Sequence, residues 1–218
     1  MRIFLVLLLF SSYLLAQNSD DELINPKELI PDLAVDLRYS SNDHVFLNLP
    51  NGDVPLPKFY TNNETLVVLR AAKMLKIAQD SLRNVKSLNG INYPKGLGIK
   101  IWDGYRPRSV QYLLFEIFPN PVFVADPNSG SMHNRGGAID LTLIDLSNGN
   151  ELEMPTLFDD FSEAASLNYN NLPQNVKNNR ELLKSVMTYA GFLTYSAEWW
   201  HYNVPGANTY PLRDYQLK

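Results

Sequence analysis

Apolar and polar residues alternate along this chain with several distinct periods, and each period implies an element. Leu33 to Tyr39 alternates residue by residue, which predicts a strand with one buried face. From Val68 the apolar positions continue at Ala71, Ala72, Leu75, Ala78 and Leu82, the spacing of an amphipathic helix. Thr61-Asn-Asn-Glu64 just ahead has the form of a capping box, so the helix is expected to open there. Leu97 to Trp102 predicts a second strand, and Gly137 to Ile144 is apolar and β-branched enough for a central one. Pro107 suits the start of a helix over Ser109 to Phe118. Gln174 to Ala190 predicts another helix, with Gly191 placed to end it, and Leu193 to Ser196 a short strand running into Glu-Trp-Trp-His201. Asn18 to Pro31 reads as a solvated lead-in, and Ser40 to Tyr60, rich in Asn, Pro and Asp, as an irregular excursion over the surface. Strands and helices follow in mixed order rather than in regular alternation, which predicts a single α+β domain.

Composition narrows the class. With 218 residues, 45% of them hydrophobic, the chain can bury one substantial core. A net charge of −4 with scattered Lys and Arg excludes the basic patch that nucleic-acid binding requires. At the start, Arg2 precedes a run from Ile3 to Leu15 that is apolar apart from Ser11, Ser12 and Tyr13, and polar sequence begins abruptly at Gln17. The run is short for a bilayer span, which takes about 20 apolar residues. It fits a cleavable signal peptide over residues 1–16, leaving a domain over 17–218 that is exported, periplasmic or secreted, with no membrane span after signal removal. An uncleaved N-terminal anchor is the alternative. Oligomeric state leaves no mark on the sequence.

There is no cysteine, so disulfides are excluded and any metal site must use His and carboxylates. The histidines are His44, His133 and His201. His44 sits alone in a polar stretch. His133 lies in Ser131-Met-His-Asn-Arg-Gly-Gly-Ala-Ile-Asp140, where two glycines permit tight turns. Asp140 interrupts an apolar run, and a carboxylate buried in a strand costs several kcal/mol unless it is paired or metal-bound. A cation would satisfy it, and so would an arginine or backbone amides. Glu198-Trp-Trp-His201 places a potential base and a potential ligand close together, although two core tryptophans with incidental polar neighbours would read the same way. Taken together, two His and one Asp make the three-ligand set of a catalytic zinc site, with Glu198 left to carry a proton.

The strings WDGYRP, SMHNRGGAIDLTL and AEWWHY, in order and with the last two about sixty residues apart, resemble the signatures of the D-Ala-D-Ala metallopeptidases, in particular the VanX-type D-alanyl-D-alanine dipeptidases. The resemblance runs from about Asp36 to Tyr202. It implies a mainly antiparallel sheet with flanking helices and a single Zn2+ held at the sheet by His133, Asp140 and His201. It also implies Glu198 as general base and acid, and Arg106 as the arginine that polarises the scissile carbonyl. A structural ion pair between Arg106 and Asp103 is the competing reading. Ser131 and Tyr39 match positions beside the substrate, and Asp159 matches a carboxylate able to hold a dipeptide's ammonium. The implied substrate is D-Ala-D-Ala or a related short peptide. Two alternatives are a D,D-carboxypeptidase or endopeptidase acting on longer cell-wall stem peptides, and a zinc-containing binding protein without activity. Pro155 departs from the pattern, standing where many relatives have Gly.

Overall fold

The computed structural model describes residues 19–40, 46–49, 52–55, 58–61 and 64–217. The expected signal segment and His44 lie outside the described residues. One five-stranded sheet organises the molecule: β1 (Ala34–Val35), β2 (Leu97–Asp103), β3 (Ala138–Asp145), β4 (Leu193–Tyr195) and β5 (Glu198–Asn203), in spatial order β4-β5-β3-β2-β1. Only β1 and β2 run parallel; the other pairs are antiparallel, as the expected α+β domain requires.

Among the described residues three α-helices complete the architecture: α1 (Leu69–Leu82), α2 (Arg108–Ile117) and α3 (Gln174–Tyr189). β2 and β3 are buried along nearly their whole length, because α1 and α3 pack with them in one apolar cluster that includes Leu75, Leu97, Ile99, Ile139, Leu141 and Leu183. That burial explains why these strands read as nearly continuous apolar runs rather than as alternations. A second cluster, with Leu37, Tyr39, Tyr60, Tyr105, Val110 and Leu114, packs beneath α2.

Several expectations are corrected. α1 starts at Leu69, with Val68 as a capless N-cap, and not at the Thr61–Glu64 box. Val67–Val68 instead pairs as a strand with Leu23–Ile24, since backbone groups buried at 0% exposure need ladder partners. The supposed lead-in is therefore part of the domain: Ile24, Pro26 and Ile30 are buried, and Asn25 caps a short 3-10 turn with Glu28 in a true capping box. Of Leu33 to Tyr39 only Ala34–Val35 is strand, and Arg38–Ser40 turns as a 3-10 helix that sends Tyr39 inward. Within the Ser40 to Tyr60 segment, Phe46–Leu49 and Gly52–Pro55 form an antiparallel hairpin.

Candidate active site

Asp140 stands near the middle of the sheet, and its neighbours are placed by strand register. His201 on β5 lies directly across from it. On the other side Asp103 does, because a bulge shifts the β2–β3 register between Ile101 and Asp103. Such a bulge re-aims the side chain that follows it. Beyond Asp103 the turn Gly104–Pro107 is stitched to the His133 turn: the Arg106 amide donates to the His133 carbonyl (3.1 Å), and Asn134 Nδ2 donates to the Arg106 carbonyl (2.8 Å). His133 itself occupies a 3-10 turn closed by Gly136 at φ +70°, and a Cβ there would meet Leu23 Cδ2 at 2.4 Å. Only glycine fits that position without strain.

These elements converge on a cavity of about 210 Å³. Tyr39, Arg106, Ser131, His133, Asp140, Asp159, Glu198 and His201 all line it, so the residues expected from the sequence to bind metal, substrate or protons reach one chamber. His133 Nε2 lies 3.3 Å from Asp140 Oδ2 and 3.3 Å from His201 Nδ1, and His201 Nδ1 lies 2.9 Å from Asp140 Oδ1. Tetrahedral zinc with bonds of about 2.0–2.2 Å separates its ligands by roughly 3.3–3.5 Å. The three donors therefore sit close to where one metal ion would need them.

The remote nitrogens support the same reading. His133 Nδ1 faces the Gly104 carbonyl at 2.7 Å; a carbonyl can only accept, so the proton sits on Nδ1 and the Nε2 lone pair faces the cluster. His201 Nε2 faces Asn203 Oδ1 at 3.0 Å, which turns Nδ1 to the same point. Partners of this kind orient imidazole ligands in metal sites.

Charge in the chamber is sorted by neighbours. Burial alone would raise the Asp140 carboxyl, yet the two histidines beside it hold it well below the usual carboxylate range. Glu198, 6% exposed, goes the other way: desolvation, reinforced by Asp140 and Asp159, pushes its carboxyl well above the usual range. Its Oε2 stands 3.7 Å from His201 Nδ1, and among the described residues nothing hydrogen-bonds its carboxylate. Burial also lifts Asp159 to about 7, against the opposing hydrogen bond from the Tyr39 hydroxyl (2.8 Å). Asp159 adopts φ +56°, a conformation rare outside glycine that recurs at functional positions.

Arg106 does pair with Asp103: Nε and Nη2 both donate to Asp103 Oδ2, at 2.9 and 2.7 Å. The ion pair and a place in the site coexist, since Nη2 also approaches Asp140 Oδ2 to 4.0 Å and the guanidinium covers the Tyr39 ring at 5.1 Å. Ser131 Oγ accepts from the His133 amide at 3.2 Å, so it shapes the ligand turn as well as lining the cavity. Trp200 lines the chamber, while Trp199 packs edge-on to Trp102 and Trp200 at 5.7 and 5.4 Å. Sequence reasoning missed Gly104 and Asn203, the partners of the two histidines. Asn203 alone had a local signal, two residues beyond His201 on the same strand face.

Comparison with known proteins agrees with this geometry. The profile of a peptidase family described as D-ala-D-ala dipeptidase matches residues 19–217. A D-alanyl-D-alanine dipeptidase of Escherichia coli K12 is 35% identical over 191 residues, covering 88% of this chain and 89% of the relative. D-alanyl-D-alanine dipeptidases of Enterococcus faecium and Enterococcus faecalis are 34% and 32% identical, each across 53% of this chain and 68% and 67% of their own lengths. A match over nearly all of the described residues, on a fold that gathers three residues able to hold a metal ion, means that the chain belongs to the D-ala-D-ala dipeptidase family of metallopeptidases.

Proposed function

We propose that this protein is a zinc-dependent dipeptidase that hydrolyses D-alanyl-D-alanine or a closely related short D,D-peptide. The observation that carries the reading is the cluster of His133, Asp140 and His201, with donors 2.9 to 3.3 Å apart, beside the buried Glu198 carboxylate 3.7 Å from His201 Nδ1. Two imidazoles and one carboxylate form a donor set that suits zinc and leaves one position open. When bound there, zinc would polarise the scissile carbonyl and lower the pKa of water towards about 7.

The chain's own residues supply the rest. Glu198 takes the proton of the attacking water and passes it to the departing amine, so one carboxyl serves as base and then as acid. Its raised pKa suits a group that must both accept and release a proton. Arg106 stays charged and donates to the carbonyl oxygen as negative charge grows there. Asp159, steadied by Tyr39, receives the substrate's ammonium, and Ser131 lies beside the peptide.

Asp159 also favours a free dipeptide over a cell-wall stem peptide. A buried carboxylate needs a cation, and a dipeptide brings one within a residue of the scissile bond, where a stem peptide has an amide. We further propose that residues 1–16 direct export and are removed, which places the activity in turnover or salvage of wall peptides. N-terminal sequencing of the protein recovered from cell fractions checks this: an intact residue 1 on cytoplasmic protein rules it out.

The test of the main reading is metal content measured together with amino-acid release from D-Ala-D-Ala, L-Ala-L-Ala and a stem pentapeptide. One zinc per chain and preferred cleavage of D-Ala-D-Ala are expected. A zinc-loaded protein inert on all three, or one that prefers the pentapeptide, overturns it.

A further inference from the structure

Arg106 is 6% exposed, and its side chain must be held in a single pose for its donors to point usefully. Asp103 takes Nε and one Nη2 proton through the same oxygen. On the other arm, Nη1 donates to Gln111 Oε1 at 3.0 Å. Gln111 comes from α2 and is 0% exposed. Its own Nε2 donates to the Ala125 carbonyl at 2.8 Å. Because a backbone carbonyl can only accept, this bond fixes the amide's orientation and leaves Oε1 for the arginine. Of the five guanidinium protons, three are thus engaged among the described residues, leaving one on each Nη nitrogen in a group that lines the cavity.

Two features of this link exceed what packing alone would require. Gln111 is neutral, so it holds the guanidinium without cancelling its charge, whereas a second carboxylate beside Asp103 would leave the group net negative. It also joins the arginine to the segment Pro121–Ala125, which lines the same cavity and packs through the Phe123–Phe161 stack at 4.6 Å, two residues from Asp159. The arm that meets the carbonyl and the wall beside the ammonium site are therefore braced by one side chain.

We propose that Gln111 is a positioning residue for the hydrolytic reaction: it aims the two remaining Arg106 protons at the carbonyl oxygen and locks them to the cavity wall. This rests on the reading in which Arg106 supports that oxygen. Loss of a hydrogen bond to a charged group in a desolvated site corresponds to a change of about 10-fold to 100-fold.

The experiment is a double-mutant cycle on the zinc-loaded full chain, with Gln111→Met, Arg106→Ala and the double variant. It reads kcat and KM on D-Ala-D-Ala and the inhibition constant of a phosphinate analogue of that dipeptide. Gln111→Met is expected to lower kcat at least 10-fold with KM changed less than threefold. Phosphinate binding should weaken by a similar factor, and in the Arg106→Ala background the substitution should add less than a further twofold. A kcat within twofold of wild type overturns the proposal. So does a loss of equal size in both backgrounds, which is what misfolding or simple packing damage would produce. Wild-type kcat in Arg106→Ala alone would instead remove the role of Arg106, a result separable from any failure at Gln111.

Discussion

The cavity has two ends built on opposite principles. At the sheet end, Asp140 is flanked by two histidines whose other nitrogens are already committed, to the Gly104 carbonyl and to Asn203. At the far end, Asp159 accepts a hydrogen bond from the neutral Tyr39 hydroxyl, and among the described residues no ion pair is formed with it. Both carboxylates are desolvated, yet Asp140 is driven down and Asp159 up to about 7. Burial pushes both carboxyls up, and only beside Asp140 do neighbours reverse that push. Where the two histidines are built in beside it, the carboxyl is held low. Where they are left out, the site keeps an unmet demand for charge that a substrate ammonium can fill.

The sharpest way to break this comparison is at Glu198, whose carboxyl is pushed up like that of Asp159 but stands beside the His133, Asp140 and His201 cluster. Glu198→Ala should lower turnover by about 10²-fold to 10⁴-fold while metal, by elemental analysis, stays bound. His133→Ala should show the reverse order of events, losing metal first and activity with it; full metal occupancy in that variant would refute the ligand assignment. At the other end Asp159→Asn should lower kcat/KM by about 10-fold to 100-fold, mainly through KM, since a charged hydrogen bond to the ammonium is lost.

The pH dependence sharpens the same contrast. Asp159 must be ionised to hold an ammonium, and its raised pKa means that it gains its charge only as pH rises towards about 7. In wild type, kcat/KM should therefore climb with pH over that range, with the limb moved lower by the cation at the other end; Asp159→Asn should flatten it. The shift also has a stability sign: the native carboxyl holds its proton above the unfolded value of 3.8, so the contribution of Asp159 to stability declines as pH rises from there towards 7. The smallest effect expected is at Gly136. Gly136→Ala forces a Cβ into Leu23 at φ +70°, costing about 1–3 kcal/mol and lowering Tm by several degrees in thermal unfolding.

Much of the site could be read before the fold was known, because its signals are local. His133, Asp140, Glu198 and His201 stand out as rare or misplaced residue types within short strings, and helix α3 and strands β2 and β3 follow from patterns contained in their own segments. The failures share a cause. The start of α1 was misjudged because Val67–Val68 takes its partner from Leu23–Ile24, and a ladder with a segment more than forty residues earlier leaves no trace in a local period. Tyr39 was expected on a strand and reaches the cavity from a 3-10 turn instead.

What the sequence alone determined is the inventory: which side chains could bind a metal, move a proton or stay charged, with no cysteine to compete. The tertiary structure decided how those groups are aimed and charged. Strand register sets His201 opposite Asp140, and a bulge sets Asp103 there from the other side. Gly104 and Asn203 choose the histidine nitrogens, and Gln111 steadies Arg106 from a helix that no motif connects to chemistry. Residue type fixes what a group can do, but pKa, tautomer and aim depend on distances of a few ångströms between residues far apart in the chain, and only folding sets those distances.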